Sequence, residues 1–156
     1  MRPRLFDVAR DHTGSALVEF AFVLPVLLLL MLGLVQFGMM FYNYILVTNA
    51  AATGAREFSI SRLDSSPYTD TESAINSATT NLSGLTITMS VNGTGCSTDS
   101  ACQTALQNAY TAAAIPPEPV SVTVSFACTS NAIMPAYLIN LTGICPLKST
   151  MQQPVE

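Results

Sequence analysis

Apolar and polar positions along this chain follow two patterns that change near residue 60. From Phe20 to Phe41 there are 22 residues in which Gln36 is the one strongly polar member. That is close to the ~20 residues an α-helix needs to cross a hydrocarbon core. Tyr42 and Tyr44 follow, where amphipathic rings sit at a membrane–water interface. Pro25 removes an amide donor inside the run and predicts a kink, which membrane helices tolerate. Beyond the tyrosines, Val47, Ala51, Ala55 and Phe58 recur at spacings of four, four and three, a narrow helical stripe. A helix from Ser15 to Phe58 would be about 65 Å long at 1.5 Å per residue, against a bilayer core of ~30 Å, so its second half must project outward. Gly54, within that half, predicts local fraying or a bend.

After Asp64-Ser65-Ser66-Pro67, a turn, the apolar residues become sparse and the periods shorten. Thr69 and Glu72 have the spacing of a capping box, which predicts a short helix through about Leu82, ended by Gly84. Leu85 to Val91 alternates apolar and polar, the period of a half-buried strand, and Asn92-Gly93 is a turn signal. The segment from Cys96 to Cys102 reads as a small loop leading into an alanine-rich helix over roughly 101–114, stopped by Pro116-Pro117. Val120 to Phe126 is the cleanest strand pattern and predicts the centre of the sheet. A short apolar piece spans 132–141, and a last strand around 143–151 is interrupted by Pro146, which assigns it to an edge. The expected fold is α+β: a long N-terminal helix extending into a small domain with an antiparallel sheet and short helices. The expected boundaries are 1–14 for a polar leader, 15–62 for the helix with its membrane part at about 20–41, and 63–156 for the domain.

Composition sharpens this picture. The chain of 156 residues is 49% hydrophobic and only 10% charged, with a mean hydropathy of +0.41, which is too apolar for an ordinary cytosolic domain. Arg2, Arg4 and Arg10 precede the apolar run, whereas only Arg56 and Arg62 lie near its far end; that bias favours a cytoplasmic N-terminus. A secretory signal peptide cut near Ala50-Ala51-Ala52 is the competing reading. The apolar stretch exceeds the roughly 7–15 residues of a signal-peptide core, and the alanines lie well beyond it.

All four cysteines, Cys96, Cys102, Cys128 and Cys145, fall in the C-terminal part. An even number beyond a membrane segment suggests disulfides in an oxidising compartment. Three pairings are possible, and the sequence-local one joins Cys96 to Cys102 and Cys128 to Cys145. No Cys-x-x-Cys occurs and the single histidine, His12, lies in the leader, so no metal site is expected. Without residues 1–14 three basic residues remain against eight acidic ones, which excludes a phosphate-binding face for nucleic acid. With no catalytic constellation and no phosphate loop, neither enzymatic activity nor a cofactor is expected.

Glu19 is the remaining candidate. An ionisable side chain at membrane depth is disfavoured, by about 2.5–3.5 kcal/mol at the bilayer centre and less toward the interface, so it marks function by default. Read without further context, it is a carboxylate reaching the headgroups. The order Gly14-Ser15-Ala16-Leu17-Val18-Glu19-Phe20, followed by an unbroken apolar run through Pro25, resembles the processing site of type IV-type prepilins, and most closely the TadE-like pseudopilins of the tight adherence (Tad, Flp-type) pilus system. The resemblance covers roughly residues 10–60.

It implies cleavage by a prepilin peptidase between Gly14 and Ser15, and pairing of the new Ser15 ammonium with Glu19 of a neighbouring subunit, Phe20 flanking it. It further implies a minor pilin or pseudopilin role in an adhesive, biofilm-type pilus. The expected partners are other pilin and pseudopilin subunits, the peptidase, an inner-membrane assembly platform and membrane lipid. The expected location is the bacterial inner membrane, single-pass, with the domain extracytoplasmic. The alternative from another class is an uncut, signal-anchored binding or adhesin-like module. A major pilus subunit fits less well, because Tad-type major subunits are typically far shorter.

Overall fold

The computed structural model describes residues 12–80, 82–111, 118–127 and 146–155. The elements in order are α1 (His12–Ile60), a 3-10 turn (Ser61–Leu63), α2 (Pro67–Ala78), β1 (Leu85–Val91), β2 (Thr94–Cys96), α3 (Asp99–Thr111), β3 (Pro119–Phe126) and β4 (Leu147–Pro154). The architecture is α+β, a long apolar helix followed by a small domain with an antiparallel sheet and short helices. The chain divides into two units, Met1–Gly38 and Met39–Glu156, and the division falls inside α1.

In the first unit α1 is an uninterrupted helix that runs through Pro25. Leu and Met dominate from Leu27 to Leu32, and such side chains lose little rotamer freedom in a helix. The side chains from Leu17 onward are almost all exposed, Leu17 at 70%, Phe22 at 77% and Leu34 at 73%. An apolar surface of this extent is not left to water by a soluble domain.

In the second unit the sheet has the order β2-β1-β3-β4 with every pair antiparallel. β3 is interior. It pairs with β1 from Leu85 opposite Phe126 to Val91 opposite Val120, and over its whole length with β4, from Leu147 opposite Phe126 to Pro154 opposite Pro119. Period-two alternation puts Val120, Val122, Val124 and Phe126 into the core. The opposite face carries hydroxyls: Ser90 and Ser121 hydrogen-bond across strands at 2.7 Å, and Thr123 and Thr150 at 2.8 Å. β1 and β2 are joined through Asn92 (φ 49°) and Gly93 (φ 77°), the positive-φ pair of a tight hairpin turn.

The core collects the inner face of the sheet, Ile75 of α2, Leu106 and Ala109 of α3, and Val47, Ala50, Ala51, Ala55 and Phe58 of α1. The stripe from Val47 to Phe58 is therefore intramolecular packing. Gly54 departs from expectation: it is helical and buried, and α1 continues unbroken to Ile60. A Cβ at this position would lie 2.6 Å from Ile75 Cδ1, 2.7 Å from its Cγ1 and 3.3 Å from Val122 Cγ1. The glycine lets side chains from α2 and β3 approach the helix backbone.

Three other expectations are corrected. α2 begins at Pro67 and ends at Ala78, short of Leu82, with Thr79 as its C-cap; Gly84, at φ 78°, leads into β1 and ends no helix. The loop expected from Cys96 contains the end of β2, a three-residue strand too short to carry a period. The last strand starts after Pro146 and runs on to Pro154; it does occupy an edge. The apolar piece at 132–141 and the Pro116-Pro117 stop lie outside the described residues.

Candidate membrane and assembly segment

The anticipated site residues fall into two groups, one in each unit. Gly14, Ser15, Glu19, Phe20 and Pro25 all lie on the first turns of α1. Glu19 and Phe20 are exposed, Phe20 at 57%. Residues 15 and 19 are one helical turn apart and so share a face. Side chains on a helix lean toward its N-terminus, so the Glu19 carboxylate leans toward the turn where a Ser15 ammonium would form. Glu19 is also the only charged residue between Asp11 and Arg56, which isolates its charge in a helix otherwise suited to lipid or to other apolar helices. Within the span the Gln36 Oε1 is shielded from solvent without a hydrogen-bond partner. A polar atom so placed favours pairing with a neighbouring helix, a contact worth about 0.6 kcal/mol in membranes.

In the second unit Cys96 and Cys102 form a disulfide with Cα atoms 5.2 Å apart. It ties the end of β2 to α3, whose buried face is Cys102, Leu106 and Ala109. Cys128 and Cys145, the other anticipated pair, lie outside the described residues. Among the described residues no three His, Cys, Asp or Glu side chains cluster as a metal site would require.

α3 also holds the segment by which the chain leaves α1. Its first residue, Asp99, accepts hydrogen bonds at Oδ1 from the amides of Tyr68 and Thr69, at 2.8 and 2.9 Å, and at Oδ2 from the Thr69 hydroxyl at 2.7 Å. These amides are the unpaired donors of the first turn of α2, where a negative charge is also favoured by the helix dipole. Ser66, the N-cap of α2, makes no side-chain cap of its own. The capping box expected at Thr69 and Glu72 is thus replaced by a carboxylate from another helix, with Thr69 turned toward it. The amide and then the hydroxyl of Thr69, with a smaller contribution from the Tyr68 amide, hold the Asp99 carboxyl below its ordinary value of 3.8. Further along α3, the Gln103 Nε2 donates to the Asp64 carbonyl at 2.9 Å. The Arg62 guanidinium lies 3.5 Å from the centroid of the Tyr110 ring. Asp99 and Gln103 carry no sequence signal for these contacts, because their partners lie 30 to 39 residues away.

Among the described residues one helix is long and apolar enough to cross a membrane, with its spanning window wholly unburied, and its apolar run carries one acid, Glu19, a turn beyond residue 15. Residues 14–56 match the family model described as TadE-like protein. This segment is TadE-like. The TadE-like stretch opens on Gly14 and closes on Arg56, so it takes in the apolar run and most of the buried stripe but leaves α2 through β4 outside. The match likens residues 14–56 to TadE-like proteins, and the helix on which they lie is long and apolar enough for a single-pass membrane anchor. No curated protein sequence and no solved structure matches the chain.

Proposed function

We propose that this protein is a minor pilin or pseudopilin of a Tad-type adhesive pilus, a structural and assembly component without catalytic activity. The observation that carries this reading is the TadE-like match beginning at Gly14, on a helix whose apolar run has Glu19 as its one charge between Asp11 and Arg56. Residues 1–14 are a cytoplasmic leader, and residues from about 20 to 41 span the inner membrane. The domain is extracytoplasmic, where a disulfide persists.

A prepilin peptidase cuts after Gly14. The cut removes three arginines and creates an ammonium on Ser15. Opposite charges in a low-dielectric helix assembly attract more strongly than in water, so Ser15 of one subunit and Glu19 of the next set the axial register in which subunits pack. The upper part of α1 serves the subunit's own domain, while the lower part is left for lipid and then for sister helices. The partners are pilin and pseudopilin subunits, the peptidase and the membrane platform.

The test is substitution of Gly14 by leucine in the native host, read by precursor mass, N-terminal sequence and surface filaments. The reading requires Ser15 as the first residue of the wild type, an uncut Gly14→Leu chain and reduced piliation. A wild-type chain that keeps Met1 in cells containing the peptidase, with filaments indifferent to the substitution, turns the assignment to an uncut anchored binding module.

A further inference from the structure

An open groove of about 370 Å³ lies in the second unit between the helix and the start of the last strand, lined by Met40, Phe41, Tyr44, Pro146, Leu147 and Lys148. Met40 and Phe41 close the apolar run, and Tyr44 is one of the two tyrosines that follow it. Leu147 turns its side chain into the core, while Lys148, the next residue on β4, is exposed. The lining is thus hydrocarbon and aromatic with one cation, and no carboxylate contributes to it among the described residues. Lys148 is the only lysine of the chain, and acidic residues outnumber basic ones in this unit.

From these observations we infer that the groove seats an anionic glycerophospholipid, with the Lys148 ammonium on the phosphate and an acyl chain along Met40, Phe41 and Pro146. Continuity with the span fixes the depth: residues that end a hydrophobic run and the aromatic ring just beyond them lie at headgroup level, so Lys148 beside them meets phosphates. An ammonium is a point charge suited to phosphate, and its aliphatic stem lies along the apolar wall while the charge stays at the wet edge. A protein with one positive headgroup contact in an acidic domain is thereby held at a defined height and rotation, since the groove opens on one side of the helix.

This inference rests on reading residues 20–41 as the membrane span, and the experiment separates the two. The full chain, reductively methylated with ¹³C, gives a single lysine side-chain resonance, from Lys148. It is placed in nanodiscs of phosphatidylcholine alone or with about a third phosphatidylglycerol, where one lysine near an anionic surface gains about fivefold in affinity. The Lys148 signal is expected to shift with phosphatidylglycerol and to stay in place when millimolar inorganic phosphate is added to phosphatidylcholine discs. Native mass spectrometry of protein released from mixed discs should show a phosphatidylglycerol preference of about fivefold in the wild type and in Lys148→Arg, falling to none in Lys148→Gln.

An unmoved resonance in a protein that still inserts into both kinds of disc removes the lipid site and leaves the span standing. A resonance that answers equally to inorganic phosphate removes the lipid in favour of a free anion. Failure to insert into either disc overturns the span itself, and the site with it.

Discussion

The two stretches of α1 on either side of Gly38 have the same secondary structure and opposite surroundings. Below it, glycines 33 and 38 have open space where a Cβ would be, and leucine after leucine is exposed. Above it, alanines and Gly54 are buried, and an added Cβ at Gly54 meets Ile75 and Val122. The lower stretch is made of large residues that gain by being surrounded by something outside the chain. From Val47 on, the upper stretch buries the small residues Ala50, Ala51, Gly54 and Ala55, which let the domain come close, together with Val47 and Phe58. One helix therefore faces two solvents, a hydrocarbon below and its own protein above, and the residue sizes report which.

The comparison can be broken first at Phe58, with Phe126 one of the two largest fully buried side chains among the described residues. Phe58→Ala should cost the domain about 3–5 kcal/mol in urea unfolding followed by amide exchange, whereas Leu28→Ala should change the same unfolding by less than ~0.5 kcal/mol. Equal effects would mean that the two halves of the helix are not energetically distinct. The disulfide comes next. Replacing Cys96 and Cys102 by serine opens a loop of six-residue separation, with an expected loss of about 2 kcal/mol from loop entropy, read as a lower urea midpoint.

A smaller effect is expected at the glycines. Gly54→Ala gains about 1 kcal/mol in helix propensity but forces Ile75 aside at a cost of ~1–3 kcal/mol, a net loss of about 1 kcal/mol, while Gly33→Ala leaves domain unfolding unchanged. A Gly54→Ala variant more stable than the wild type would show that Ile75 moves freely. The smallest effect is at Asp99. Its folded carboxyl titrates below the ordinary 3.8, so its stabilisation is whole above that pH and is lost as pH falls through the lower folded value. Between pH 7 and pH 3 the wild type should lose more stability than Asp99→Asn, which keeps an acceptor but no charge.

What the sequence made legible follows from where the information resides. β1, the Asn92-Gly93 turn and β3 are encoded by local alternation and local turn chemistry, and the structure has them at the expected residues. The long helix is encoded by the length of its apolar run and the buried stripe by its period. What escaped depends on residues far apart in the chain. Gly54 reads as a weak point by propensity, and only Ile75, 21 positions on, reveals it as a contact. The cap on α2 reads as self-contained at Thr69 and Glu72 until Asp99 arrives from α3. On the candidate site, the spacing from Gly14 to Glu19 is a property of the sequence alone and carries the family resemblance. The groove at Lys148 needed the fold to set residues 40–44 beside 146–148.

The position of β4 has a consequence in time. Of the described strands it is the last to leave the ribosome, yet it covers the whole free side of β3. A nascent chain broken off before Leu147 would already own its anchoring helix while displaying an unzipped strand of valines, the kind of edge on which proteins aggregate. A chain cut short before Leu147 should therefore aggregate more readily than the whole one.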